Sequence, residues 1–189
     1  MALLRASARS VAELAVEGTL STRIAARFGD EVGRQPGAGE VRSWGASLPV
    51  LARDLADARL GDVEVLVEYR LPLTSKRADA VLAGVHPRSG RPSYVVVELK
   101  QWSTAFPVSD SDDLVQLPAY GDRPVLHPVT QVSRYCSFLR DFTRSLAADP
   151  RSVVGAAYLH NADEAGVSAL RALPPTPDGR LFSGSERGA

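Results

Sequence analysis

The chain has 189 residues, 44% of them hydrophobic and 23% charged, a length that holds one domain with a sizeable core and a composition ordinary for a globular protein. Its 22 basic and 22 acidic side chains cancel, which argues against a domain that gathers nucleic acid by a uniform field of its own. No stretch approaches the ~18 uncharged apolar residues of a membrane span, and a single cysteine, Cys136, excludes an internal disulfide or a zinc ribbon, which fits a reducing, cytoplasmic compartment.

The N-terminus, MALLRASARSVAEL, has the Arg, Ser and Ala of a targeting peptide, but Glu13 and Glu17 follow and no secretory h-region can be drawn. It is expected to be an ordinary helix or a frayed start. Thr19 to Val32 suits a short helix, and QPGAG at Gln35 to Gly39 breaks it. From Glu40 to about Leu60 the stripe Trp44, Leu48, Leu51 and Leu55 predicts a longer helix, with Pro49 kinking it or marking its first turn. The period then changes. VEVLVEYR (Val63 to Arg70), RADAVLAGV (Arg77 to Val85) and YVVVELKQW (Tyr94 to Trp102) read as three strands joined by turns.

Ser103 to His127 is irregular, with a small hairpin expected between Leu114–Tyr120 and Arg123–Leu126 around Gly121-Asp122. A second helix starts at Pro128 and buries Val132, Tyr135, Leu139, Phe142 and Leu146. SVVGAAYLH (Ser152 to His160) is apolar enough for a central strand, and the tail from Leu173 reads as a linker. The expected division is a helical extension over residues 1–39, a main α/β domain over 40–165 with a mixed central sheet flanked by helices, and a linker or truncated end over 166–189.

Two charges interrupt the third strand, Glu98 and Lys100. Twenty of the basic residues are Arg and only Lys76 and Lys100 are Lys, as a GC-rich genome would produce, so a surviving Lys marks a place where a compact ammonium is needed. A hairpin centred between Arg88 and Ser89 opposes residues whose numbers sum to 177 and pairs Asp79 with Glu98. Opposed side chains share a face about 5 Å apart. Two carboxylates then meet beside Lys100, Val81 and Val96, with Ala78, Ala80, Leu82, Val95, Val97 and Leu99 on the other face. Such a pair repels unless a cation intervenes, and a divalent metal serves better than Lys100 alone. Glu68 falls opposite Asp79 if the first hairpin centres on Leu73-Thr74; a strand-edge charge is the reading adopted. His86, His127 and His160 are scattered, Trp44 and Trp102 are taken as packing residues, and Cys136 as buried and inert.

Asp79, 18 intervening residues, then Glu98-x-Lys100 resembles the core of the PD-(D/E)XK, or restriction-endonuclease-like, nuclease superfamily. The family's Pro before the Asp is replaced here by Arg77-Ala78. Gln131-Val-Ser-Arg-Tyr135 is similar to the Q-x-x-x-Y motif of RecB-like members, and Glu40 matches the acidic residue that many members place on the first main helix. The longer pattern SWGASLPVL, EYRLPLTSKRADAVLAG, VVVELKQW, HPVTQVSRY and AAYLHNAD, over about Glu40 to Asp163, resembles the N-terminal domain of bacterial Schlafen-group superfamily I helicase proteins. No G-x-x-x-x-G-K-[ST] loop occurs, so the chain is expected to be a fragment or a standalone relative.

The resemblance implies a restriction-endonuclease-like core and metal-dependent hydrolysis of phosphodiesters. It implies Mg²⁺, with Mn²⁺ substituting, on Asp79, Glu98, Glu40 and the carbonyl of Leu99; Lys100 at the attacking water; and Gln131 and Tyr135 positioning the strand. Arg134, near Gln131, and Arg123, in the loop before it, are expected to guide that strand by their position. DNA is the expected substrate, with RNA open, and a linked helicase the expected partner, since a neutral domain alone would bind DNA weakly. The rival reading is a docking module that keeps the fold without catalysis.

Overall fold

The computed structural model describes residues 1–118, 121, 123–147, 149–172, 176 and 178–186. The chain divides into two compact units, Met1–Tyr94 and Val95–Arg187, where the sequence predicts one main domain with extensions.

The first unit begins with a strand, β1 (Leu4–Ser7), where a helix or frayed end is expected. Ser7 ends the strand and caps helix α1 (Ala8–Val16), its hydroxyl accepting the Ser10 N–H. Helices α2 (Leu20–Val32) and α3 (Ala38–Asp57) follow, α2 closing on Gly33 at φ 73°, a left-handed turn that glycine adopts without strain. Helix α3 runs through Pro49, forgoing the one backbone bond that proline lacks the donor to make, and buries Trp44, Leu48, Leu51 and Leu55 as the spacing predicts. Strands β2 (Glu64–Arg70) and β3 (Arg77–Val85) pair antiparallel, with β1 on the other side of β2. Leu4 opposes Val67 and Ser7 opposes Glu64, while Arg5 reaches the Glu64 carboxylate at 2.6 Å. Val65, Val67, Ala78 and Ala80 supply the sheet's share of the core, and Ile24 and Phe28 that of α2.

The turn after β3 is closed by His86 N–H to the Arg91 carbonyl and Gly90 N–H to the His86 carbonyl. It leads into β4 (Pro92–Lys100), within which the boundary between the units falls. In the second unit a small antiparallel sheet is formed by β5 (Phe106–Pro107), β6 (Leu114–Gln116) and β7 (Val125–Leu126). Leu114 opposite Leu126 supports the expected hairpin, whose Tyr120 and Asp122 lie outside the described residues. Helix α4 (Pro128–Phe142) starts on a His127 cap and buries Val132, Tyr135, Cys136 and Leu139. The expected stripe is longer than the helix: Thr143 takes an extended conformation, Phe142 is left 50% exposed and stacked on Phe138, and Leu146 is buried from the separate turn α5 (Arg144–Ala147).

Strand β8 (Val153–Leu159), helix α6 (Glu164–Arg171) and strand β9 (Gly179–Ser183) complete the unit, β9 running parallel to β8 from Gly155↔Gly179 to Leu159↔Ser183. The segment 166–189, expected to be a linker or truncated end, therefore holds most of α6 and all of β9 among its described residues. Its few apolar residues suffice because α6 and β9 meet a core already built: Val167 and Leu170 join Ala105, Val115, Leu117, Leu159 and Ala162, with Leu181 packed against them. The His160 N–H, just past β8, bonds the Lys100 carbonyl at 3.2 Å. The protein is α/β, with antiparallel and parallel pairing both present and helices against its strands. No helix among the described residues is long and apolar enough to cross a membrane.

At Gly166, in the first turn of α6, an added Cβ would stand 2.1 Å from the Ser103 carbonyl oxygen. Neither partner is a flexible side chain, so Gly166→Ala is expected to destabilise the protein by about 3 kcal/mol, read as a lowered midpoint in urea.

Candidate functional site

Strand β4 places Glu98 and Lys100 on one face because alternate residues of a strand point the same way. Helix α4 places Gln131 and Tyr135 one above the other because i and i+4 share a helix face. The second unit joins the two pairs. The Glu98 carboxylate, 4% exposed, accepts at Oε1 from Lys100 Nζ at 2.7 Å and from Gln131 Nε2 at 2.7 Å. Lys100 Nζ also donates to Gln131 Oε1 at 3.2 Å, and Gln131 Nε2 donates to the Tyr135 hydroxyl at 2.9 Å. The ammonium lies 5.3 Å from the centre of the Trp102 ring, giving that tryptophan a contact beyond packing.

The network is lopsided. Every hydrogen bond to the carboxylate goes to Oε1, and Oε2 is buried with no partner among the described residues. Burial pushes the carboxyl above the usual range, and Lys100 and Gln131 only partly reverse that shift. Two residues absent from the expected site hold the strand's exit: His160 through its N–H to the Lys100 carbonyl, and Asn161 through Nδ2 to the Gln101 carbonyl at 3.1 Å. The visible signal was a polar His-Asn pair directly after an apolar strand. Leu99 lies between Glu98 and Lys100, buried. Arg134 is not in this group; it is exposed and bonds Asp113 at 2.8 Å. Arg123 is exposed in the loop before β7.

In the first unit the acids gather differently. The β2–β3 ladder keeps one register on both sides, Val67↔Ala80 and Tyr69↔Ala78, and skips the position between them, which Glu68 and Asp79 occupy. The strand-edge reading of Glu68 is corrected by its burial. Its backbone turns to φ 52°, and its side chain is drawn in, leaving it 8% exposed. Trp44 Nε1 donates to Glu68 Oε1 and Arg77 Nε to Oε2, both at 2.8 Å. Burial raises the Glu68 carboxyl, while Trp44 and Arg77 pull it back. Glu40 is already engaged: one oxygen closes the α3 cap on the Gly37 N–H at 2.8 Å, and the other accepts from Arg77 at 3.2 Å. Arg77 in turn lies over the Phe28 ring at 4.7 Å. Asp79 is half-buried on β3.

Arg77→Ala would strand Glu68 without its cation, and removing one partner of a buried pair costs about 3 kcal/mol or more. The deficit is expected to shrink in acid. Glu68's folded value is raised, so protonation of the folded state relieves the uncompensated charge as pH falls through it. Urea midpoints of parent and variant at two pH values check this.

Among the described residues no three His, Cys, Asp or Glu side chains are gathered closely enough to form a metal cage. Mg²⁺ does not require one, since it keeps several waters and binds through one or two carboxylates. The unpartnered Glu98 Oε2 is the kind of oxygen it takes, so on this observation Glu98 fits the ion, whereas both oxygens of Glu40 are taken up by the Gly37 N–H and Arg77. No protein-family model, curated protein or solved structure matches the chain.

Proposed function

We propose that the protein is a metal-dependent phosphodiesterase acting on nucleic acid, with Glu98 and Lys100 at its working centre. The observation that carries the reading is the buried Glu98 carboxylate with one oxygen bonded to Lys100 and Gln131 and the other without a partner among the described residues. A purely structural ion pair in a buried setting needs its remaining lone pairs met, because desolvation of each charge costs several kcal/mol. A carboxylate that serves a cation needs the opposite.

The reading takes Asp79 as the second carboxylate on the sequence count from the hairpin, and Mg²⁺ or Mn²⁺ as the ion. Bound there, the ion would polarise the phosphate and acidify a water. Glu98 Oε2 would hold it. Gln131 holds Glu98 and Lys100 in one arrangement, its amide oxygen facing the ammonium and its amide nitrogen facing Glu98 Oε1, and Tyr135 fixes the amide's second hydrogen. Lys100, so oriented, offers positive charge where negative charge builds on the phosphate oxygens. Because burial raises the metal-free Glu98 carboxyl, protons compete with the ion for it, and at subsaturating metal the acid side of the pH–rate profile is expected at a higher pH than at saturating metal.

DNA is the proposed substrate and a linked helicase the proposed partner, both supported by the resemblance of the motifs, in a cytoplasmic setting that suits a lone buried cysteine whose thiol is pushed up to about 12. The test is incubation with single- and double-stranded DNA and RNA at low salt, with Mg²⁺, Mn²⁺ or chelator. Metal-dependent cleavage of any of the four supports the reading. Binding without cleavage under every condition favours the docking module instead.

A further inference from the structure

A cavity of about 380 Å³ opens in the second unit against the first turn of α4, α6 and β9. None of the Glu98 group lines it. His127 does, and is 4% exposed. Its Nδ1 accepts the Val129 N–H at 3.1 Å in capping α4, so the ring's hydrogen sits on Nε2, and Nε2 is buried with no hydrogen-bond partner among the described residues. The Leu170 carbonyl lies near enough to favour that proton but outside hydrogen-bond geometry. Burial keeps the imidazole neutral by lowering its pKa. A second lining group, Thr176 Oγ1, is also buried and unpartnered among the described residues.

Buried polar groups are hydrogen-bonded as a rule, so two unmet ones on one cavity ask for a ligand that brings oxygen. A Cβ on Gly179 would stand 2.9 Å from both Thr176 Oγ1 and Val129 Cγ1, so the cavity is bounded here by bare backbone; Asp112 also lines it, and no described side chain bonds His127 Nε2. The chemistry of the lining changes with depth. The deep donor is a neutral N–H, which suits an uncharged carbonyl. Leu170 and the partly exposed Phe182 give apolar and aromatic wall. Arg171 is taken up by Glu164 and Glu186, which leaves the exposed Arg180 as the cation for a ligand's charged end.

We propose that this cavity binds a nucleoside monophosphate, with a base carbonyl on His127 Nε2–H, the ring along Leu170 and Phe182, and the phosphate at Arg180. The volume is within the range of small-ligand sites. The site stands apart from the phosphodiesterase reading and does not depend on it.

The test is calorimetric titration of the whole chain with UMP, uridine, inorganic phosphate and a 5′-phosphorylated tetrauridylate. UMP is expected to bind at least tenfold more tightly than uridine or phosphate alone, an order of magnitude that the loss of one charge-assisted contact gives. His127→Asn keeps a side-chain oxygen to cap α4 but withdraws the ring N–H, and Arg180→Ala removes the exposed cation. Each is expected to weaken UMP about tenfold while Lys100→Ala leaves it unchanged. Equal or tighter binding of the tetranucleotide, with the same response to the variants, identifies the source as a strand end; weaker binding identifies the free mononucleotide. Absence of UMP binding at millimolar concentration, binding indifferent to both variants, or equal binding of phosphate alone would overturn the proposal and leave the cavity to water.

Discussion

Lys100→Ala is expected to lower metal-dependent cleavage by about 10² to 10³-fold while changing Mn²⁺ affinity by no more than a few fold. The size follows from what a preorganised charge at a developing negative charge contributes when it is removed. The split between the two readouts follows from the geometry. Lys100 donates to Glu98 Oε1 and Gln131 Oε1, so its loss takes charge from the reacting end but leaves Glu98 Oε2 where it was. The variant loses one contact to Oε1, and Gln131 Nε2 keeps the other at 2.7 Å. Initial rates at saturating Mn²⁺, beside a Mn²⁺ titration, check both halves. A merely structural lysine would move stability and leave the rate of the folded fraction alone.

Glu98→Gln is expected to abolish cleavage and Mn²⁺ binding together, at little or no loss of thermal stability. The amide is nearly the same shape and still accepts from Lys100 or Gln131, so packing is kept. The sign of the stability change comes from the titration. Glu98's folded value is raised above its unfolded one by burial, so its contribution to stability is fully present in acid and is lost as pH rises through the folded value. Above the folded value the parent carries the ionised form at a cost, and a neutral side chain removes that cost. Melting temperatures at pH 5 and pH 8 are expected to converge in acid and to favour the variant, if either, at pH 8. A fall in melting temperature at pH 8 comparable to that from breaking a buried ion pair would show that Glu98 is there to neutralise Lys100.

The elements that carry the site were the legible ones. Glu98 and Lys100 two apart on a strand, and Gln131 and Tyr135 four apart on a helix, fix direction by periodicity alone, and the structure joins them through side-chain bonds of 2.7 to 3.2 Å. The long helix from Glu40 and the apolar strand before His160 were legible for the same reason. Short elements were not. Leu4–Ser7 has four residues and takes its strand form from β2 beside it, and Gly179–Ser183 lies in a Gly- and Pro-rich tail whose composition argues for a loop. Tertiary pairing decided both. Glu68 was read as a strand-edge charge because a residue with φ 52° leaves the strand's alternation, so no period-2 count shows it turned inward toward Trp44. The helix ending at Phe142 was overrun because Val132, Leu139 and Phe142 keep a helical period with Leu146 across the extended Thr143.

Whether the Oε2 atom of Glu98 serves a divalent cation beside Lys100 is read out by calorimetric titration of the parent chain and Glu98→Gln with Mn²⁺ at pH 8. The parent is expected to bind one or two ions saturably and the variant none. No saturable binding by the parent, or equal binding by both proteins, would contradict that role.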